Sequence, residues 1–204
     1  MQSITWEGER LFPSKIVCVG RNYVAHIEEL GNEMPDSMVV FNKPNSAITD
    51  TLLSRAGGQT LHYEGELAFL VMHGALAAVA FGLDLTKRSL QSELKGKGLP
   101  WERAKAFDGA ALFSDFKTLP GDLSQLSLEL WVDDLQRQTG GVDLMINSPD
   151  RILSELATFT TLEDGDIIMT GTPSGVGEIK AGEEFHGRVL VGNSPLITTT
   201  WTAA

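Results

Sequence analysis

Residues 61–72 read Leu-His-Tyr-Glu-Gly-Glu-Leu-Ala-Phe-Leu-Val-Met, and residues 76–85 read Leu-Ala-Ala-Val-Ala-Phe-Gly-Leu-Asp-Leu. Each run has the length and apolar content of a long strand, and His73-Gly74 between them are turn residues. Together they predict a β-hairpin. Outward from it the chain keeps the same character. Short strands are expected at 15–19, 38–42, 46–49 (the last two split by Pro44-Asn45), 128–133, 136–139, 166–170, 185–191 and 196–201. One or two helical turns fit 23–30. The clearest helix covers 148–159, with Ser148 as its cap, Pro149 at its first position, and Ile152, Leu153, Leu156 and Phe159 as an apolar stripe. Strands and helices do not alternate regularly, which argues against a doubly wound α/β fold. The expectation is an α+β chain, mainly β, with few short helices and a single domain over 1–204.

Composition narrows the function. The chain has 27 acidic and 16 basic residues, a formal charge of −11. That balance speaks against a broad nucleic-acid or anionic-membrane surface, each of which needs clustered Lys and Arg. It leaves room for an anionic small molecule met by a few local cations. Cys18 is the one cysteine, so no internal disulfide forms, and within Ile16-Val17-Cys18-Val19 it reads as an inert core residue. The N-terminus lacks a basic-then-apolar signal pattern and no apolar run has membrane-spanning length, which makes a cytoplasmic location the default expectation.

The chemistry concentrates in the hairpin. Residues two apart on a strand share a face, so His62, Glu64 and Glu66 project together. Two carboxylates so close repel unless a cation intervenes. Asp84, within Phe81-Gly82-Leu83-Asp84-Leu85, is costly to bury without a partner. Three carboxylates from neighbouring strands suit a hard cation such as Mg²⁺ or Mn²⁺. An isolated Glu-x-Glu is more often a solvated strand face, and spacing alone leaves that alternative open.

Elsewhere, His26 and Glu29 lie three apart and share a helical face, as a base and its orienting carboxylate or simply as a surface pair. Lys43 and Lys105 sit in weakly apolar settings where a lysine snorkels or meets an anion. Arg21 and Arg88 fall near strand ends. Gly171-Thr172-Pro173-Ser174-Gly175-Val176-Gly177 is either a loop whose amides meet a carboxylate or a structural turn; it lacks the ending of a phosphate-binding P-loop.

Taken in order, these pieces resemble the fumarylacetoacetate hydrolase family. The likeness runs from about residue 15 to the C-terminus. It is carried by Val19-Gly20-Arg21-Asn22-Tyr23 with His26, Lys43-Pro44, His62-Tyr63-Glu64-Gly65-Glu66-Leu67 and Leu83-Asp84-Leu85-Thr86. Gly98-Leu99-Pro100-Trp101, Ala104-Lys105-Ala106-Phe107-Asp108, Gly165-Asp166-Ile167-Ile168 and Thr170-Gly171-Thr172-Pro173 complete it. The resemblance implies a mixed β-roll or sandwich, usually a homodimer. It implies a Mg²⁺ or Mn²⁺ site at Glu64, Glu66 and Asp84, a water-activating dyad of His26 and Glu29 on a flexible lid, and Lys105 facing the metal. Arg21, Lys43, Arg88, Gln91 and Thr172 would line a pocket for a small 2-oxo acid.

Within the family the short chain and Gly-Leu-Pro-Trp look most like the acylpyruvate hydrolase and oxaloacetate decarboxylase branch. Ser89 and Gly109-Ala110-Ala111 depart from that pattern, and the connection around 117–127 is shortened. The activity this implies is hydrolysis of a carbon–carbon bond in a 3-acylpyruvate through a pyruvate enolate. Its alternatives are oxaloacetate decarboxylation, or an isomerisation of the kind found in aromatic catabolism. A metal-binding protein without catalysis would be expected to lack a member of the dyad or triad, and all five are present. A sugar- or peptide-binding sandwich would not account for Asp84.

Overall fold

The computed structural model describes residues 1–204. Ten strands and four helices carry the architecture. They are β1 (Lys15–Gly20), α1 (Val24–Glu29), β2 (Val39–Pro44), β3 (Gly65–Met72), β4 (Ala75–Asp84), α2 (Arg88–Gly96), α3 (Glu102–Lys105) and β5 (Ala111–Phe113). β6 (Leu126–Val132), β7 (Leu135–Gly141), α4 (Pro149–Leu156), β8 (Ile167–Met169), β9 (Glu184–Val191) and β10 (Ser194–Thr202) follow. The mainly-β fold with few short helices is as expected.

The larger sheet runs β2-β1-β8-β3-β4-β5 and ends on the short strand Ile48–Thr49, with Lys117–Thr118 also pairing on β4. It is mixed: β8 lies parallel to β1 and antiparallel to β3, and β3 and β4 form the antiparallel hairpin. A second sheet, β7-β6-β9-β10, is wholly antiparallel. One face of the hairpin (Leu67, Phe69, Val79, Phe81, Leu83) packs on Leu128, Leu130, Phe185 and Val189 of the second sheet. The other face (Ala68, Leu70, Ala78, Ala80) packs with Ile16, Cys18, Phe116 and Met169. Burial on both faces explains why the hairpin reads as two nearly continuous apolar runs rather than an alternation.

Four expectations are revised. The run from 61 is not one strand: His62–Tyr63 pairs with Gly177–Glu178, the chain breaks at Glu64, and β3 starts at Gly65. Residues 45–47 form a 3₁₀ turn, leaving only Ile48–Thr49 extended. Helix α4 is capped by Ser148, which accepts from Arg151 N, but ends at Leu156, so Phe159 falls beyond it and is 63% exposed. The helix α2 was not foreseen. Its sequence, Arg-Ser-Leu-Gln-Ser-Glu-Leu-Lys-Gly, is polar except for Leu90 and Leu94, whose i, i+4 spacing fits one helical face, and Gln91 and Leu94 are buried. No helix is long and apolar enough to cross a membrane.

Candidate active site

The carboxylates meet because of the hairpin register. Glu66 lies across from Gly82, Gly65 across from Leu83, and Asp84 N donates to Glu64 O at 2.9 Å. One oxygen each from Glu64, Glu66 and Asp84 therefore lies within 4.8 Å of the others, and all three residues are buried. His62, expected on the same face, is set apart by the break at Glu64. It pairs with Thr86 and is not part of the pocket wall.

Cations reach the cluster from three directions. Lys105, at the end of α3 and 2% exposed, donates to Glu64 Oε2 at 2.8 Å, Asp84 Oδ2 at 2.7 Å and Thr86 Oγ1 at 2.6 Å. Arg88 at the start of α2 donates to Glu64 Oε1 and, at 2.8 Å, to Gln91 Oε1. Lys43 lies on β2, behind the cluster rather than on the pocket wall where the resemblance put it. Its Nζ donates to the Lys105 carbonyl and stands 2.7 Å from Asp84 Oδ1. That last approach is a charge contact without hydrogen-bond alignment, and Asp84 Oδ1 has no donor of its own.

The result is an uneven distribution of charge. Burial alone would raise the Glu64 carboxyl, but Lys105 and Arg88 outweigh it and hold Glu64 well below the usual carboxylate range. Glu66 is pushed the other way by burial and by the Asp84 and Glu64 charges; its Oε2 accepts only the Gly171 amide, at 2.7 Å. Burial works against the Lys105 ammonium, but the Asp84 and Glu64 carboxylates prevail and its pKa rises. Two buried carboxyls with opposite shifts, one lacking any ion pair, beside a third buried carboxylate, fit a divalent cation held by hard oxygen ligands.

The glycine-rich loop after β8 meets carboxylates that belong to the chain itself. Gly171 N donates to Glu66, and Gly175 N donates to Glu29 Oε1 at 2.9 Å. Gly171 has φ +94°, and a Cβ there would stand 2.9 Å from Asn22 Cβ and 3.0 Å from Val19 O, so the position requires glycine. Thr172 Oγ1 donates to Gly65 O at 2.8 Å. Glu29 in turn meets His26, with Oε2 3.2 Å from Nδ1, and His26 is only 6% exposed.

One pocket brings most of the expected residues together: His26, Glu64, Glu66, Asp84, Lys105, Arg21, Arg88, Gln91 and Thr172 all line it. Glu29 touches His26 from behind. Sequence reasoning missed Lys95 and Trp101 on the same wall, and Gln138, which is buried. Gln138 accepts from Gly65 N at 2.8 Å and donates to Thr172 Oγ1 at 2.8 Å and Pro173 O at 2.9 Å, clamping the turn between the two glutamates. Helical spacing from Arg88 and Gln91 points to Lys95 once α2 is known. Nothing in the sequence around Gln138 marks it.

The model of the fumarylacetoacetate (FAA) hydrolase C-terminal family matches residues 15–196. The chain belongs to the fumarylacetoacetate hydrolase family. Among members of this family, the oxaloacetate tautomerase YcgM of Escherichia coli is 38% identical over 203 residues, covering 90% of this chain and 93% of the relative. A putative fumarylacetoacetate isomerase/hydrolase from Oleispira antarctica superposes with a TM-score of 0.94 at 32% identity, covering both chains in full. Fumarylpyruvate hydrolase from Pseudomonas aeruginosa, solved with Mn²⁺ and pyruvate, gives a TM-score of 0.89 at 29% identity over 100% of this chain and 95% of that one. The named family relatives are enzymes, and the buried acidic group of this chain is suited to a divalent metal.

Proposed function

We propose that this chain is a Mg²⁺- or Mn²⁺-dependent enzyme that interconverts the keto and enol forms of oxaloacetate. Carbon–carbon hydrolysis of 3-acylpyruvates, the first reading of the sequence, becomes the second. The observation that carries the proposal is the placing of one buried base, His26, in a single pocket with a three-carboxylate group and a buried ammonium, Lys105. The oxaloacetate tautomerase activity named for the Escherichia coli relative supports oxaloacetate as the substrate. The pyruvate in the Pseudomonas aeruginosa complex supports a 2-oxo acid head in this pocket.

Glu64, Glu66 and Asp84 would hold the cation, which when bound supplies Lewis-acid polarisation of a 2-oxo acid. Tautomerisation breaks a C–H bond at C3 and forms an O–H bond at the 2-oxygen, so the protein must move one proton and hold the charge in between. Glu29 accepts from His26 Nδ1, which fixes the tautomer and leaves Nε2 as the acceptor. Glu29 is itself anchored by the Gly175 amide. His26 takes the C3 proton and delivers it to oxygen. Lys105, a fixed positive charge whose raised pKa makes it a poor acid, faces the developing oxygen charge. No water need attack, because oxaloacetate carries a carboxylate where an acylpyruvate carries its second ketone.

The test is a comparison of kcat/KM for oxaloacetate ketonisation, oxaloacetate decarboxylation, and cleavage of acetylpyruvate and fumarylpyruvate, each with Mg²⁺ and with chelator. Ketonisation should be the fastest and should vanish with chelator. His26→Ala should lower it by about 10²–10⁴-fold. If an acylpyruvate were cleaved with the highest kcat/KM, hydrolysis would replace tautomerisation.

A further inference from the structure

Helix α2 presents Arg88, Gln91 and Lys95 to the pocket at i, i+3 and i+7 spacing. The first two are accounted for: Arg88 bonds Glu64 and Gln91. Lys95 makes no ion pair. The one acid on its helix, Glu93, is taken by Lys97 on the exposed side. The Lys95 ammonium instead stands 4.9 Å from the centre of the Trp101 ring, which forms part of the same wall. Arg21 lines the pocket too, with φ +56°, a conformation rarely adopted by a residue with a long side chain. Its guanidinium makes only long bonds, 3.4 Å to Glu33 O and 3.5 Å to Asn32 Oδ1, and its buried Nε has no partner.

Partial burial, then the charges of Arg21 and Arg88, push the Lys95 pKa down to about 8. Two half-buried cations thus line the pocket without an ion pair to any carboxylate of the chain, in a protein of net charge −11. The Glu64, Glu66 and Asp84 carboxylates line the same pocket with Lys105 and His26. A ligand anchored there by a 2-oxo acid head and carrying a second anion would satisfy both groups.

We propose that Lys95, together with Arg21, forms a subsite for the distal carboxylate of a dicarboxylic 2-oxo acid, and that Lys95 sets the preference for such substrates over those with an apolar tail. This rests on the proposed function only in requiring the 2-oxo acid head on the Glu64–Glu66–Asp84 group.

Oxaloacetate and 2-oxobutanoate share that head and differ in a distal carboxylate against a methyl group. Their dissociation constants can be read from tryptophan fluorescence on rapid mixing with Mg²⁺-loaded protein, with oxalate as a probe of the head alone. One charge-assisted hydrogen bond corresponds to roughly ten- to a hundredfold in affinity, so the unaltered protein should favour oxaloacetate by at least about tenfold. Lys95→Met should cut that ratio to within about threefold while changing 2-oxobutanoate binding by less than about twofold, and Lys95→Arg should keep most of it. A ratio that survives Lys95→Met, or equal weakening of both ligands, overturns the subsite and leaves the proposed function standing. If neither 2-oxobutanoate nor oxalate binds the unaltered protein, the proposed function and the subsite fail together.

Discussion

At the scale of residues, Glu66 differs from its two neighbours in having no cation of its own. Glu64 has Lys105 and Arg88, Asp84 has Lys43 and Lys105, and Glu66 has one backbone amide. Glu66→Gln preserves the acceptor for Gly171 N and removes the carboxyl whose ionisation burial and the Asp84 and Glu64 charges oppose. The metal-free variant should melt no lower than the unaltered protein, while calorimetric Mn²⁺ affinity falls by at least about tenfold, the loss of one carboxylate ligand's charge. Unchanged affinity would remove the three-carboxylate site. Lys105→Met should behave in the opposite sense. It strips a shared donor from Glu64, Asp84 and Thr86, and thermal melting should show a loss of about 3–5 kcal/mol, the usual cost of breaking a buried ion pair. The carboxylates and His26 stood out in the sequence by residue type and spacing, which left a solvated face open, and the family resemblance supplied the roles proposed for them. Lys43 was legible as a buried-looking lysine but not as one that faces Asp84 from behind the pocket.

Among the elements, β8 and the loops around it do the positioning. Asp166, ahead of β8, is fully buried and accepts from Ser14 N, Ser14 Oγ, Lys15 N, Lys15 Nζ and Glu163 N. Burial would raise its carboxyl, yet Lys15 and Ser14, with the two backbone amides, hold it below the ordinary aspartate value. A depressed folded-state pKa gives stability that is present above the unfolded value, near 4, and is lost as pH falls through the folded one. Asp166→Ala should therefore cost about 2–4 kcal/mol by denaturant titration at neutral pH. The gap between variant and parent should narrow once the pH drops below about 4. A gap independent of pH would rule out the charge as its source. Past the other end of β8, Gly171→Ala combines positive φ with a Cβ driven against Asn22, and should weaken both folding and Mn²⁺ binding, since the amide it displaces holds Glu66.

For the whole molecule, the exposed apolar residues Val24, Leu144 and Ile146 mark a patch on segments that adjoin, since Tyr23 bridges Met145 and Ile146 N donates to Asn22 O. We expect this patch to be covered in a homodimer. Light scattering should give twice the chain mass, and Leu144→Asp with Ile146→Asp should shift it toward the monomer; a monomeric parent would refute the assignment. The amino-acid sequence by itself determined the hairpin, the mainly-β class, the capped start of α4, and which residues were candidates for metal and base chemistry. Those properties follow from local periodicity and side-chain type, which are complete within a dozen residues. Tertiary structure alone decided which distant segments meet: Gly171 at Glu66, Lys105 at Glu64, Gln138 at Gly65, and Lys95 facing the same pocket as Arg21. These contacts depend on β8 inserting between β1 and β3 and on the second sheet closing over the hairpin. Strand order of that kind is set by burial summed over the whole core, and no short stretch of sequence contains it.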